Sequence, residues 1–278
     1  MSAFPRHWGK VFTCPINSHC FCVHELLCQS GLSAYLQDQK RIVIKPNLVE
    51  AIPHPVTTPV ELVEEIILYL KNNTSCEICI AEGTAAMEYD TFHAYDRLGY
   101  TVMAARHNVS LIDLNQEQSV TLKRPGCSRW PTMHLPKMIM DSFLISVPIL
   151  KAHSLAGVTL TLKNMMGIAP PEHYQQGGWK KSAFHHQIQE AVADLNRYRT
   201  PDFTILDASV GMAQAHLWGP TCDPPIGLLA ASSDPVAIDA YGAQLLNKKW
   251  REIGHIESLH RELGLAEPLE ILQVVGKH

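Results

Sequence analysis

Short, almost continuously apolar runs are the feature that most constrains the fold of this chain. They recur along its length between segments in which apolar residues have helical spacing. Strands buried on both faces of a parallel sheet have this pattern. The runs predict seven strands: Arg41–Lys45, Glu77–Ala81, Ser110–Leu114, Phe143–Pro148, Phe203–Asp207, Gly227–Ala231 and Ile271–Val275. The sequence therefore predicts an α/β fold, with a mostly parallel central sheet flanked by helices in a single compact unit.

Three segments between these runs predict helices. We expect the first to start at Thr58 as its cap, with Pro59 at the first helical position and Glu61 completing a capping box. The second runs through Ile188–Leu195, where apolar residues recur every three or four positions. The third begins after Asp234, which is most simply an N-cap.

The chain of 278 residues is long enough for one α/β domain spanning residues 1–278. Residues 1–40 would supply an N-terminal strand and helix. Two stretches, 123–136 and 168–185, contain prolines and glycines and predict long loops. The second also carries aromatic and basic residues, so it is a candidate lid over a site.

Composition narrows the choice of partner and compartment. The formal net charge is −4 and no basic tract is present, so nucleic acid is not an expected partner. No apolar run approaches the roughly 20 residues that span a bilayer, and the first ten residues lack a signal-peptide pattern. We expect a cytoplasmic protein outside the membrane, with a homodimer as one candidate assembly.

The eight cysteines do not predict a disulfide scaffold in a chain of this length. Cys76 and Cys79 form a C-x-x-C pair that leads into a strand, so their side chains should diverge. A looser N-terminal cluster lacks the C-x₂₋₄-C pairs of structural zinc sites. Its members are Cys14, His19, Cys20, Cys22, His24 and Cys28.

Polar residues that follow the first predicted strand suit an anion. Open α/β sheets bind ligands at the carboxyl ends of their strands, and helix N-termini favour negative charge. The candidate substrate-binding residues here are Lys45, Asn47, His54, Thr57 and Thr58. The alternative is that Thr58 merely caps its helix and Lys45 is solvated.

A carboxylate, Glu82, follows the second strand and precedes Gly83, which would let the backbone turn tightly. Glu82 is a candidate acid–base group or metal ligand. The alternative is a turn residue that pairs with a nearby lysine.

The segment after the fourth strand is the most informative, with Lys151, His153, Thr159, Lys163 and Asn164 within fourteen residues. Whether it is extended or helical, Thr159 and Lys163 lie together. A lysine desolvated beside another cation can act as a base or nucleophile, and His153 can transfer protons near neutral pH. The alternative is a satisfied polar network of salt bridges.

His185 and Asp234 complete the candidate set. His185, next to His186, either covers a helix start or contributes to a ligand site. Asp234 is the predicted N-cap, and in the functional interpretation it orients the lysines together with Glu82.

Several motifs together resemble one known family. They are KPNLV (Lys45–Val49), HPVTTP (His54–Pro59), AEGT (Ala81–Thr84), VPILKAHSLAGVTLTLKNMMG (Val147–Gly167), PDFTILDA (Pro201–Ala208) and ASSDPVAIDAYG (Ala231–Gly242). In this order they resemble the domain of unknown function 362 family, over about Arg41 to Leu246. The resemblance implies an α/β fold with a site near the motifs, and no particular activity. Relatives often carry a ferredoxin-like C-x₂-C-x₂-C-x₃-C motif, which is absent here, so no 4Fe–4S cluster is expected.

The leading hypothesis is an enzyme that performs acid–base or transfer chemistry on a small anion, a carboxylate or a phosphate. Lys151, His153 and Lys163, with Glu82, would be its catalytic residues, and its cofactors are open. The alternative is a metal- or cofactor-binding protein with a redox association and without independent turnover. It would place a divalent metal on histidines of the His153 and His185 regions with Glu82. A binding or scaffold module is a third interpretation.

Overall fold

The computed structural model describes residues 8–16 and 23–274. Its strands are β1 Lys10–Pro15, β2 Arg41–Pro46, β3 Glu77–Glu82, β4 Ser110–Asp113, β5 Ser119–Lys123, β6 Thr132–Pro136, β7 Phe143–Val147, β8 Ile149–His153, β9 Gly157–Thr159, β10 Phe203–Met212, β11 Leu228–Ser232 and β12 Glu270–Gln273. Its α-helices are α1 Val23–Gln29, α2 Leu32–Tyr35, α3 Val60–Asn73, α4 Thr91–Arg97, α5 Tyr100–His107, α6 Lys137–Met140, α7 Thr161–Asn164, α8 Pro171–Tyr174, α9 Ile188–Tyr198, α10 Pro235–Leu245 and α11 Gly254–Leu259.

One ten-stranded sheet organises the protein. Its main path runs β12-β1-β11-β10-β7-β2-β3-β4, and β8 pairs with both β10 and β9 at one side of that path. Strands β10, β7, β2, β3 and β4 are parallel to one another, whereas β11 is antiparallel to both of its neighbours. The α/β fold with a mostly parallel sheet is therefore confirmed, and each of the seven predicted strands is present.

The apolar runs are buried on both faces, as parallel strands require. In β2, Ile42 and Ile44 belong to one core and Val43 to the other, because successive side chains of a strand point to opposite faces. Helix α3 packs on the first core through Ile66 and Ile67. Helices α9 and α10 contribute to the second core. The two-sided burial explains why these strands show no polar alternation.

The predicted start of the first helix is wrong. Helix α3 begins at Val60 after Pro59, and no side chain caps it. The Thr58 hydroxyl instead donates to the Val147 carbonyl oxygen at 2.7 Å and accepts from the Asn47 N–H at 2.8 Å. Thr58 thus joins β7 to the turn after β2, a long-range contact that competes with local capping. Asp234, by contrast, does cap α10.

The two predicted loops are more regular than expected. Residues 123–136 include strand β6, which pairs with β5 in an antiparallel hairpin that runs from Lys123 opposite Thr132 to Ser119 opposite Pro136. Met133 and Leu135 of β6 are buried and alternate with less buried neighbours. The prolines stand at the strand ends, where they do not interrupt pairing. Residues 168–185 contain α8 and a 3₁₀ turn, Ser182–His185.

The cysteines form no C-x-x-C site. Cys76 donates its thiol to the Gln39 carbonyl oxygen, whereas Cys79 is buried within β3 and its thiol lies near the Ile42 carbonyl oxygen. Their side chains diverge, as predicted. Of the N-terminal cluster, His19, Cys20 and Cys22 lie outside the described residues.

Candidate functional site

A cavity of about 380 Å³ lies at the carboxyl ends of β2 and β3, beside β8. Small-molecule sites have volumes of this order. The predicted residues that line it are Asn47, Glu82, Lys151, His153, Thr159, Lys163, Asn164 and His185. Lining residues outside the predicted set include Glu50, Trp179, Lys181, His216 and Leu217. The structure thus brings most of the candidates into one pocket.

The segment that carries Lys151 and Lys163 is partly strand and partly helix. Strand β8 pairs with β9 so that Lys151 stands opposite Thr159, and the chain then turns into α7, which contains Lys163. Asp239 of α10 accepts the N–H groups of Thr161 and Leu162 at 2.8 and 3.0 Å. A carboxylate at a helix start supplies the capping that the local sequence lacks. It therefore fixes the position of Lys163 relative to the sheet.

A hydrogen-bonded chain of side chains runs along the cavity wall and continues to Lys45 behind it. Lys45 Nζ donates to Glu82 Oε2 at 2.7 Å and to Asn164 Oδ1 at 3.2 Å. Asn47 Nδ2 donates to the same Asn164 oxygen at 3.0 Å, and Lys151 Nζ donates to Asn47 Oδ1 at 2.9 Å. We call these five residues the polar network. Lys45 is fully buried and behind the cavity surface, so its role is to hold Glu82 and Asn164.

The motif glycines allow this network to pack closely. A Cβ on Gly167 would stand 1.8 Å from Glu82 Oε1 and 2.6 Å from Lys45 Nζ. A Cβ on Gly83 would stand 2.5 Å from both Asn115 Oδ1 and the Gly167 carbonyl oxygen. Gly83 has no positive φ. Close approach of backbone to an ion pair, rather than a tight turn, therefore explains these glycines.

Lys163 differs from Lys45 because it is unpartnered. Within residues 8–16 and 23–274, its ammonium group makes no hydrogen bond and no ion pair. Burial lowers the pKa of Lys163 to about 8. Burial, together with the charge of Lys163, lowers the pKa of Lys151 to about 7. Both side chains therefore titrate near neutral pH, as a desolvated lysine beside another cation should.

Lys181 is a third lysine of the cavity and lies outside the predicted set. Its ammonium group contacts Asn115 Oδ1 and the Ala169 carbonyl oxygen, and burial lowers its pKa to about 7. The neighbouring Lys180 donates instead to the Tyr89 carbonyl oxygen. The sequence signal was the run of two lysines in the candidate lid, but nothing local indicated which of them turns inward. The contacts with Asn115 and Tyr89 tie the candidate lid to the segments that follow β4 and β3.

His153 has a defined tautomer. Its Nδ1 accepts the N–H groups of Leu155 and Ala156, each at 3.1 Å, so the proton of the neutral ring resides on Nε2. Burial, with the charge of Lys163, lowers the pKa of His153 to about 2. The lowered pKa disfavours a charged ring near neutral pH, and the expectation that His153 exchanges a proton there stays a prediction. In this geometry it is a neutral hydrogen-bond donor.

Two further imidazoles and an indole extend from His153. The rings of His153 and His216 stack with centroids 4.2 Å apart, and Trp179 meets His185 edge-on at 4.9 Å. Burial, with the charge of Lys163, lowers the pKa of His185 and of His216 to about 4. We call these four residues the aromatic wall. His216 follows β10, which ends at Met212 rather than at the predicted Asp207, and it belongs to no motif, which is why sequence reasoning missed it.

Two buried polar atoms of the lining have no hydrogen-bond partner among the described residues. They are Thr159 Oγ1 and His185 Nδ1. Buried polar atoms are nearly always paired in native proteins, and exceptions call for an explanation. Both atoms belong to residues that line the cavity. A ligand in the cavity would supply their missing partners.

Five candidates do not line the cavity: Lys45, which lies behind it, and His54, Thr57, Thr58 and Asp234. The Thr57 hydroxyl donates to the Ile52 carbonyl oxygen at 2.5 Å, and the Thr58 hydroxyl donates to the Val147 carbonyl oxygen. His54 Nε2 lies 3.1 Å from Ser209 Oγ and 3.4 Å from Asp207 Oδ2. Each of these groups is satisfied locally, so the geometry gives no anion site at the start of α3.

The donor set does not fit a metal ion. Across residues 8–16 and 23–274, no group of three or more His, Cys, Asp or Glu side chains could hold one. Glu82 is engaged by Lys45 and by the N–H of Gly83 at 2.8 Å. His153 carries its proton on Nε2, which leaves that nitrogen without a lone pair for a metal.

Within residues 8–16 and 23–274, no helix is long and apolar enough to cross a membrane.

The cavity lies in the part of the chain that matches a known protein family. The model of the family described as domain of unknown function (DUF362) matches residues 42–244. A protein of Synechocystis sp. described as thylakoid-associated is 26% identical over 231 residues, which cover 75% of this chain. The chain spans 64% of that protein's length. Every residue that lines the cavity falls within the matched range.

Proposed function

Because the chain belongs to the domain of unknown function (DUF362) family through a match that contains the whole cavity lining, we propose that this cavity is the active site of an enzyme. The enzyme performs acid–base or transfer chemistry on a small carboxylate or phosphate compound. One observation carries the proposal. Lys151, Lys163 and Lys181 all reach the cavity, and none forms an ion pair with any described residue.

Three ammonium groups without a carboxylate partner, those of Lys151 and Lys181 buried and that of Lys163 on a half-buried side chain, are unfavourable for folding. Desolvation penalises each charge, and the like charges of Lys151 and Lys163 repel one another. The one nearby ion pair, Lys45 with Glu82, is already complete. An anion in the cavity would supply the missing negative charge. A site that is unfavourable when empty and compensated by its ligand is typical of functional clusters.

Each residue then has a distinct role. Lys163 is unpartnered, and its pKa near 8 provides a neutral amine fraction that can accept a proton from the substrate. The Nε2–H of His153 donates to negative charge that develops in the transition state. Lys151 is held by Asn47 Oδ1 at 2.9 Å and the Val56 carbonyl oxygen at 2.5 Å, so it binds the anionic group in a fixed place.

A binding experiment tests the anion site. Purified protein is titrated with inorganic phosphate and with acetate by isothermal calorimetry, alongside the variants Lys151→Met, Lys163→Met and Lys123→Met. Lys123 is an exposed lysine of the hairpin and is the matched control. We expect binding to fall about tenfold or more in the two cavity variants, the equivalent of about 1.4 kcal/mol. Equal binding by all four proteins would contradict the proposal.

A turnover experiment tests the acid–base role. A panel of small carboxylates is incubated with the protein in D₂O, and loss of C–H signals is followed by proton NMR. A base that abstracts a C–H proton exchanges it for deuterium, so the wild-type protein should label at least one compound and Lys163→Met should label none. Labelling that persists in Lys163→Met would remove Lys163 from this role.

We further propose that the protein works in the cytoplasm. Cys79, Cys127 and Cys222 carry thiols rather than disulfides, as a reducing compartment favours. The Synechocystis relative is instead described as thylakoid-associated. Cell fractionation with an antibody against this chain distinguishes the two. Recovery with washed membranes would contradict the cytoplasmic assignment.

A further inference from the structure

We propose that the compound bound in the cavity carries a planar aromatic ring, so that the ligand class is an aryl carboxylate or aryl phosphate. The inference rests on the proposed anion site and deepens it. The anionic group would sit at Lys151, Lys163 and Lys181, and the ring would lie against the aromatic wall of His153, Trp179, His185 and His216. Nothing in the anion site by itself requires such a wall.

The wall consists of flat rings at short distances from one another. His153 and His216 stack at 4.2 Å with an interplanar angle of 25°, and His185 lies 6.0 Å from His153. Trp179 meets His185 at an angle of 89°. Aromatic side chains prefer offset-stacked and edge-to-face partners, so this set offers a ring both kinds of contact. An aliphatic chain would gain nothing specific from it.

The three imidazoles behave as neutral aromatic surfaces. Burial and the neighbouring lysine charge depress the pKa of His153, His185 and His216 to about 2, 4 and 4, so none carries charge near neutral pH. Cationic imidazoles would have added to the anion site. Because they stay neutral, the cavity lining offers two kinds of group, cationic ammonium groups and weakly polar aromatic rings. That combination matches a ligand with an anionic group at one end and a ring at the other.

The volume and the rim agree with this ligand class. The cavity of about 380 Å³ leaves room beyond a carboxylate or phosphate group. Leu155 and Leu217 also line it, and Leu155 and Trp179 are 59% and 46% exposed. Apolar side chains of the lining would cover the outer part of a ring. A small hydrophilic anion would leave this surface in contact with water, which is unfavourable.

Three carboxylates of graded shape test the inference by calorimetry. Acetate carries the anion alone, cyclohexanecarboxylate adds a non-planar ring, and benzoate adds a planar ring. We expect benzoate to bind about tenfold more tightly than acetate, and more tightly than cyclohexanecarboxylate. In His216→Ala and Trp179→Ala, the ratio of benzoate to acetate affinity should fall several-fold. In Lys163→Met, all three carboxylates should weaken together.

The outcomes separate this inference from the function on which it rests. If acetate and benzoate bind equally, the aromatic ligand class is overturned while the anion site stands. If cyclohexanecarboxylate matches benzoate, the site is apolar rather than aromatic, which also overturns the inference. If none of the three carboxylates nor phenyl phosphate binds, the anion site itself fails. A benzoate preference that survives in both wall variants would place the ring elsewhere and reject the wall.

Discussion

Two charged residues of this protein, Asp234 and Lys163, have opposite environments. Asp234 is fully buried, and its two carboxylate oxygens accept four backbone N–H groups at 2.8 to 2.9 Å, from Gly9, Val236, Ala237 and Leu265. A Cβ on Gly264 would stand 1.8 Å from Asp234 Oδ1, so even the neighbouring backbone is shaped around it. Lys163 has no partner among the described residues and faces a cavity.

The difference separates a structural charge from a functional one. Where the protein supplies every hydrogen-bond partner, as for Asp234, the charge joins distant parts of the chain. Where partners are missing and the charge borders a cavity, an external ligand can complete the set. Sequence motifs do not make this distinction, because both residues belong to the most recognisable segments of the chain. Changing each residue should therefore have opposite effects on stability.

The largest effect is expected for Asp234→Ala. It leaves four buried N–H groups without an acceptor, so the free energy of unfolding should fall by about 3–5 kcal/mol. Urea denaturation followed by circular dichroism measures this loss. Asp234→Asn keeps one side-chain oxygen, so its free energy of unfolding should fall less. Asp38→Ala, which removes an exposed carboxylate, is the control. If Asp234→Ala unfolds at the same urea concentration as Asp38→Ala, the structural assignment of Asp234 is wrong.

Lys163→Met should have the opposite sign. Methionine fills a similar volume without a desolvated charge, so the free energy of unfolding should rise by about 1–3 kcal/mol near pH 7. The same substitution should weaken anion binding, which makes it a stability gain at the expense of function. Lys123→Met, at an exposed site, should change stability little. A destabilised Lys163→Met would show that the ammonium group has a partner in the folded protein.

A pH series sharpens the same contrast. The pKa of Lys163 is about 8 in the folded protein and 10.5 in an unfolded chain, so the unfolded chain binds more protons between these values. Stability from this group therefore rises with pH across that window. At about pH 9 the folded lysine is already largely neutral, and the advantage of Lys163→Met should shrink by about 1 kcal/mol. Urea denaturation of the wild-type protein and of Lys163→Met at about pH 7 and pH 9 measures this change. A stability difference that is the same at both pH values would refute the lowered pKa of Lys163.

The smallest effect concerns His153. Because its pKa is lowered to about 2, its ring should not titrate between about pH 5 and pH 8. Nitrogen-15 NMR should show one neutral tautomer with the proton on Nε2 throughout this range. A shift of the His153 signals with an apparent pKa near 6 would restore the original expectation of proton exchange.

The strands were predictable because burial on both faces leaves a continuous apolar run that few other structures share. The start of α3 was not predictable, because the Thr58 hydroxyl donates to the distant Val147 carbonyl oxygen rather than accepting from its own helix. The hairpin of β5 and β6 was missed because Pro131 and Pro136 suggested irregular chain, although both stand at strand boundaries. For α3 a contact between remote residues overrode a local rule, and for the hairpin the pairing of two consecutive strands did so.

As with the fold, the sequence predicted the parts of the site that depend on neighbouring residues and missed the parts that depend on tertiary packing. Lys151, Thr159 and Lys163 follow one strand end closely, so local geometry delivers them together. Lys181 and His216 come from segments without periodic pattern, and only tertiary packing turns them into the cavity. His54, Thr57 and Thr58 follow a strand end as well, yet backbone and side-chain partners occupy them.

The order of apolar runs by itself determined that a mostly parallel sheet forms and that its strand ends carry basic and acidic residues. Those properties depend on neighbours in the chain, which a sequence displays directly. Tertiary structure alone decided which charges are compensated: Lys45 by Glu82, Asp234 by four backbone groups, and Lys163 by none of the described residues. Compensation depends on distances of a few ångströms between residues far apart in sequence, and those distances exist only in the folded chain.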